Sequence, residues 1–553
     1  VASLLNYPLL FRFLGTICLL IGGSMAFSLP FAYPGFAERT HLPPAAEVET
    51  RAMYGLLASM MVCFTVGLIF RFLGRSYRPG GNLFRKEAMA IVGLSWVGAT
   101  VLGALPYYFS GTQTAADMPI TFIEAMFESQ SGFSTTGATI LTDLNTPELV
   151  PHCILFWRSW THFLGGLGIV VLFVAILGQG SAGKAMMRAE MPGPTKDGSM
   201  PRMQHTALVF AAIYVGLNVV LTIVYWLEGM STFDALCHAF GTMATGGFST
   251  YNRSLGGFDS PLIETTTIAF MVLAGTNFTL MYLTLIGGWR KLVRDVEFRT
   301  YGGIIAVVTL GVVFFGMRAG DEGFENYPSA LRNGCFQVVS VLTTTGYGTA
   351  DFDTWNNFGR GILLLLMFVG GCAGSTGGGM KVIRHVLFYK ILRLEMERAH
   401  RPRVIRPLRV SGQPVDDPQL AHNILLYFCL VLAIFVVSWL ALVTFEPTST
   451  WGVIESPIAH AAEMGVEHDP EAHKELHREL LKGTLDDKLL DSASAVAATL
   501  NNIGPGLGVV GATRNYAGFS QGAKLLFVWL MMLGRVEIFS VLLLFVPSFW
   551  RRV

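Results

Sequence analysis

The chain has 553 residues, 52 % of them hydrophobic and only 14 % charged. With 39 basic against 38 acidic side chains the net charge is +1, so no nucleic-acid partner is implied. A mean hydropathy of +0.50 excludes a string of ordinary soluble domains and points to a protein embedded in a bilayer.

In chain order, apolar runs long enough to span read at 8–30, 52–74, 87–110, 152–178, 205–228, 262–288, 301–318, 359–392, 421–445 and 522–549. Many runs follow the first, so it reads as a span and not as a cleaved signal peptide. The run 359–392 is too long, and too Gly-rich in its middle, for one clean helix. The seven cysteines lie in or beside these runs without a CxxC pair, which argues against a disulfide framework.

Basic residues cluster in alternate loops. One cluster holds Arg71, Arg75, Arg78, Arg85 and Lys86; the next holds Lys184, Arg188, Lys196 and Arg202. Arg290, Lys291, Arg294 and Arg299 follow, then Arg393, Arg398, Arg401, Arg403, Arg406 and Arg409, and finally Arg551 and Arg552. By the positive-inside rule this side and both termini are cytoplasmic. The opposite side carries a polar segment, 455–488, in which His473 and His477 are one helical turn apart without a clear metal-ligand set. A solvated outer excursion is the simpler reading of that segment.

Residues 343–348 read TTTGYG. The apolar stretch before it, 332–342, is about three turns long and too short to span. Span, short helix, Gly loop and span together make a re-entrant pore loop, because irregular backbone at membrane depth must be buried in protein or line a wet cavity. The same pattern recurs at 120–140, 231–252 and 491–508. Aligning on glycine pairs TTGAT, ATGGF, TTGYG and NIGPG, with Gly137, Gly246, Gly346 and Gly504 as anchors.

The expected fold is therefore all-α and polytopic: ten transmembrane helices with four re-entrant loops in pseudo-fourfold arrangement. Two leading helices (1–80) precede repeats at 86–180, 205–290 and 300–395; a basic cytoplasmic linker (396–420) then leads to the fourth, 421–553. The filter candidates are Thr135, Thr136 and Gly137; Thr245 and Gly246; Thr344, Thr345, Gly346 and Tyr347; and Asn502, Ile503 and Gly504. Carbonyls replacing an ion's hydration shell need φ values that glycine adopts cheaply. K+ contacts are expected at Thr136, Gly137, Thr245, Gly246, Thr345, Gly346, Ile503 and Gly504. No acidic side chain stands at these positions, which suits a large, easily dehydrated cation. Glu128, in the first short helix, either lends negative potential to the pore or hydrogen-bonds its neighbours.

The stretches FESQSGFSTTGAT, TTTGYG and NNIGPGLG, with two leading helices and WRSWTHFLGGLGIVVL at 157–172, resemble the Trk/Ktr/HKT superfamily of K+ transporters, and within it the bacterial TrkH-type membrane subunits. The resemblance covers almost the whole chain; segment 455–488 is longer and more charged than the family leads one to expect. It implies K+ as the transported ion, with K+ preference because Gly137 stands where plant relatives favouring Na+ carry Ser. It also implies no organic cofactor, no enzymatic activity, a bacterial inner-membrane location, a homodimer with one pore per protomer, and a cytoplasmic ring of nucleotide-binding TrkA subunits. The transport mode stays open between a gated, channel-like pore and a symporter driven by H+ or Na+.

The middle of 359–392 comprises Gly370, Gly371, Cys372, Ala373, Gly374, Ser375, Thr376, Gly377, Gly378 and Gly379. Each glycine costs about 1 kcal/mol relative to Ala in a helix, so this segment breaks the span. GSTGGGMK fails the phosphate-binding P-loop pattern, since Met380 precedes Lys381 and Val382 follows it. In the resembling family the matching segment is a gating loop, and the residue matching Arg535 sits beside it as a positive barrier. From the residues alone, Arg535 is a mid-membrane charge that faces either the pore or an ion-pair partner such as Glu537. Asn277, at comparable depth in the second repeat, is placed to hydrogen-bond the same loop.

Overall fold

The computed structural model describes residues 6–33, 46–76, 85–168, 203–401, 409–410, 413–414, 418–451, 470–536 and 538–550. Several expected features lie outside them: the end of the 152–178 run, the basic loop from Lys184 to Arg202, Arg78, Arg403, Arg406, Glu537, Arg551, Arg552 and the first part of segment 455–488. The side chains of His473 and His477 lie outside them too.

The described residues are mostly helical, with two short antiparallel strand pairs, Gln113–Ala115 with Met118–Pro119 and Arg409–Val410 with Gln413–Pro414. Helices α1 (Tyr7–Ser24) and α2 (Ala46–Leu73) pack as a pair. A Cβ at Gly15 would lie 2.7 Å from the Gly67 carbonyl oxygen and 2.8 Å from Arg71 N, so small residues let these backbones meet. Among the described residues, six helical stretches are long and apolar enough to cross a membrane: Tyr7–Ala32, Glu47–Ser76, Lys86–Phe109, Leu208–Leu227, Val296–Ala319 and Leu420–Phe445. Their outer faces bear exposed Leu68, Phe72, Val307, Phe314, Leu432 and Val437. That apolar surface belongs in lipid.

Other expected spans differ. The run 262–288 is two helices, α8 (Pro261–Ala274) and α9 (Phe278–Leu283), in segments bent by 98°. The run 359–392 is α12 (Asn357–Leu366), an irregular stretch at 367–381, and α13 (Val382–His400). The run 522–549 breaks after α16 (Gln521–Arg535), where Val536 turns extended. Between these lie α3 (Arg85–Phe109), α5 (His152–Leu167), α6 (Met203–Leu227), α10 (Val296–Ala319) and α14 (Pro418–Phe445).

The centre is built from four further helices, α4 (Phe122–Phe133), α7 (Thr232–Met243), α11 (Tyr327–Leu342) and α15 (Pro470–Leu500). α11 starts five residues earlier than its apolar stretch, because Asn326 caps it by accepting from Ser329 N at 3.0 Å. α15 runs without a break from the polar segment into the fourth loop unit; the sequence suggested a separate helix from 491, and the helix continues through Gly483 at the cost of about 1 kcal/mol that a mid-helix glycine carries. In α4 the buried side chains include Glu128, Ser129, Gln130 and Ser131. Polarity is thus greatest in the interior and least on the outer faces, which is how lipid as solvent sorts residues.

Candidate ion-conduction site

Each central helix ends in the same way. The N–H of Thr136, Gly246, Thr345 and Ile503 reaches back five residues to the carbonyls of Ser131, Gly241, Ser340 and Ala498, at 2.8–2.9 Å. The preceding N–H, of Thr135, Thr245, Thr344 and Asn502, reaches back three, at 3.0–3.3 Å. This paired closure is a Schellman cap, which places its C′ residue in the left-handed region. Here C′ is Thr135 (φ 53°), Thr245 (54°), Thr344 (59°) and Asn502 (55°). Three of the four are β-branched, for which positive φ is a strained outlier of the kind found at functional sites.

Two residues on, φ is positive again: Gly137 (81°), Gly247 (74°), Gly346 (78°) and Gly504 (96°). These four glycines close a ring. A Cβ at Gly137 would collide with the Gly246 carbonyl oxygen, one at Gly247 with that of Thr345, and one at Gly346 with that of Ile503. One at Gly504 would lie 2.5 Å from that of Thr136. Each loop therefore leans on the next, and the fourth returns to the first. The four glycines also line one cavity of about 70 Å3.

This ring corrects the register of the second loop. The positive-φ glycine is Gly247, and Gly246 takes the place of Thr136, Thr345 and Ile503, while Thr245 takes that of Thr135. Matching single glycines could not choose between neighbours in ATGG. The C-terminal ends of α4, α7, α11 and α15 all lead into the ring, so the negative ends of four helix dipoles face it and favour a cation.

Side chains brace the loops from behind. Glu128 accepts from Thr139 Oγ1 at 2.6 Å and Ile140 N at 2.7 Å, and pairs with Arg158 at 2.9 Å. Arg158 donates to the Ser249 carbonyl at 3.0 Å and lies 3.4 Å from the centre of the Phe248 ring. Glu128 is thus a hydrogen-bonding brace joining loops one and two. Arg158 was not singled out from the sequence, although a lone cation in an apolar run is the signal that marked Arg535. Tyr347 does not turn its side chain to the ring; its buried hydroxyl donates to the carbonyls of His238 (3.2 Å) and Phe248 (3.3 Å) in the second unit. Asn502 donates to Thr136 Oγ1 (2.9 Å) and the Met531 carbonyl (2.8 Å).

Against these loops docks the Gly-rich segment 370–379. Its neck is closed by Gly370 N to the Met380 carbonyl at 2.6 Å and Val382 N to that of Gly371 at 3.2 Å. Gly378 N donates to Thr344 Oγ1 at 2.8 Å, and the Thr245 and Thr376 hydroxyls lie 3.5 Å apart. The break between α8 and α9 receives it sideways: Cys372 N donates to the Gly275 carbonyl (2.8 Å), Thr376 Oγ1 to that of Ala274 (3.2 Å), and Phe278 N to that of Gly374 (3.1 Å). Orphan backbone groups at the 98° bend are thereby satisfied, which explains why α8 and α9 do not continue as one helix.

Arg535 donates to the carbonyls of Thr376 and Gly165, each at 2.6 Å, and so clamps the segment to α5. Its sequence-suggested alternative partner, Glu537, lies outside the described residues. Glu297 accepts from Ala373 N at 2.7 Å and Ile383 N at 3.0 Å, and buried Lys381 donates to the Gly377 carbonyl. Neither was singled out for a role, since both stand where a basic or acidic residue near a helix start looks ordinary. Asn277 touches the segment, but its Oδ1 accepts from Thr279 N and Leu280 N as the cap of α9; the backbone bond comes from the next residue.

A polytopic membrane protein with four helix–loop units closed into one ring is the class that this geometry defines. The chain belongs to the TrkH family of cation transport proteins, whose family model matches residues 59–451 and 481–552. The unmatched stretch between those ranges, 452–480, covers most of the polar segment 455–488 and the three residues before it. The Trk system potassium uptake protein TrkH of Salmonella typhimurium is 34 % identical over 554 residues, covering 99 % of this chain and 100 % of that one. TrkH of Escherichia coli K12 is 34 % identical over 553 residues, with the same coverage. The crystal structure of the potassium transporter TrkH from Vibrio parahaemolyticus superposes with a TM-score of 0.76 at 30 % identity, covering 99 % of this chain and 100 % of that one. These relatives are named as transport proteins and not as enzymes.

Proposed function

We propose that the chain conducts K+ inward through one central pore per protomer. In this reading ten spans surround four re-entrant loops, and backbone carbonyls at Thr136, Gly137, Gly246, Gly247, Thr345, Gly346, Ile503 and Gly504 replace the ion's hydration water. The observation that carries it is the closed ring of positive-φ glycines, each packed on the carbonyl of the neighbouring loop. The relatives' names, potassium uptake proteins, supply the ion.

Segment 370–379 is the gate, held shut by Arg535, by Glu297 and by the filter residue Thr344. Symport coupling finds no supporting observation; Glu128 is engaged by Arg158, Thr139 and Ile140. By resemblance to the family, the protein sits in a bacterial inner membrane with cytoplasmic termini, as a homodimer under a TrkA-type nucleotide-binding ring. Purified protein in liposomes should pass K+ in preference to Na+, and Gly346→Ser should reduce that preference. Equal passage of both ions by the unaltered protein overturns the reading.

A further inference from the structure

Loop two contains a glycine that its backbone does not require. Gly247 has positive φ, but Gly246 is not among the positive-φ residues, so an L side chain could adopt its conformation. In the equivalent place, loops one and three carry threonines whose hydroxyls are tied back along the loop. Thr136 Oγ1 lies 2.7 Å from Ser134 Oγ, and Thr345 Oγ1 lies 2.8 Å from Thr343 Oγ1. Loop two has Ala244 and Gly246 there and lacks that tie.

The space is filled from another unit. His162, on α5, is fully buried, and a Cβ at Gly246 would lie 2.5 Å from its Nδ1 and 2.7 Å from its Cγ and Cε1. Side-chain carbons pack at 3.5–4.0 Å, so ring and methyl cannot both occupy their places. The ring has little room to yield. It stacks on Phe248 with centroids 4.1 Å apart and planes 15° apart, and Phe248 in turn lies against Arg158 at 3.4 Å.

We propose that His162 is a positioning residue for ion selection. Its imidazole forms the rear wall of loop two and holds the Gly246 carbonyl in the ring, as a side-chain tie does in loops one and three. Gly246 is then a glycine by steric exclusion, required only while His162 stands behind it. The inference rests on the K+-conduction reading above.

The test is a double-variant cycle in liposomes, reading the Rb+/Na+ flux ratio. Gly246→Ala should lower the ratio about tenfold, the scale at which one misplaced methyl group changes discrimination. His162→Ala should lower it too, by removing the wall. The combined variant should recover much of the ratio, because its new methyl occupies vacated space. If Gly246→Ala cannot be purified as a single species, recovery of the double variant as one supports the proposal, and its failure overturns it. A Gly246→Ala protein that selects like the original overturns it, as does a double variant no better than either single one. An unaltered protein that does not select K+ or Rb+ over Na+ overturns the conduction reading itself, so the two failures are distinct.

Discussion

Consider replacing Arg158 by Leu. The residue is 2 % exposed and Glu128 is fully buried, so the change leaves a carboxylate without its cation in the interior. Removing one partner of a buried pair costs about 3–5 kcal/mol, most of it the penalty of the stranded charge. The lost bond to the Ser249 carbonyl, on the order of 1.5–3 kcal/mol for a charged donor, and the contact with Phe248 overlap with that figure and do not add to it. Glu128→Gln keeps an acceptor for Thr139 and Ile140 and removes the charge. The double variant, Glu128→Gln with Arg158→Leu, should therefore be more stable than Arg158→Leu alone, by about 1–3 kcal/mol of coupling. Denaturant unfolding in detergent micelles measures stability, and liposome K+/Na+ flux measures the joint between loops one and two. A double variant no more stable than Arg158→Leu refutes the brace.

Arg535→Gln removes two charge-assisted bonds that hold segment 370–379; with that segment as the proposed gate, and at roughly 1.5–3 kcal/mol per bond, basal K+ flux should rise at least tenfold. Unchanged flux in folded protein argues against the clamp. Thr344→Val loses the hydroxyl that receives Gly378 N, so it should raise basal flux more modestly, while Thr344→Ser should behave like the original in the same assay. Gly247→Ala places a methyl against the Thr345 carbonyl at positive φ, and should lose K+ selectivity whether or not His162 is present; rescue by His162→Ala would contradict the register assigned to loop two.

Periodicity and composition settled much in advance. Apolar run length located the helices whose outer faces now meet lipid, and glycine content located both the loops and the broken run after Gly370. Both follow from local backbone physics: an apolar helix satisfies its own polar groups, and a glycine cluster abandons the helix. The break at 275–277 carries only a weak local signal, Gly275 at the end of one helix and Asn277 capping the next; the 98° bend is held by the Gly-rich segment, which binds the carbonyls of Ala274 and Gly275.

The remaining features were decided by neighbours distant in sequence. In TTGAT, TTGYG and NIGPG a Thr or Ile follows the cap residue and the first glycine comes next, so matching on that glycine gave the same register as the ring. ATGG offers two, both free to adopt positive φ, and no local rule selects between them. The choice of Gly247 follows from the Thr345 carbonyl on one side and the His162 ring on the other. In the same way a sequence marks Arg158 and Arg535 as charges in costly places and leaves Glu297 unmarked in a helix's first turn, but only the assembled helices supply the carboxylate, carbonyls and amides that these three bind. Local backbone preference can be read along the chain; the partner that satisfies a buried charge or excludes a methyl group is a property of space.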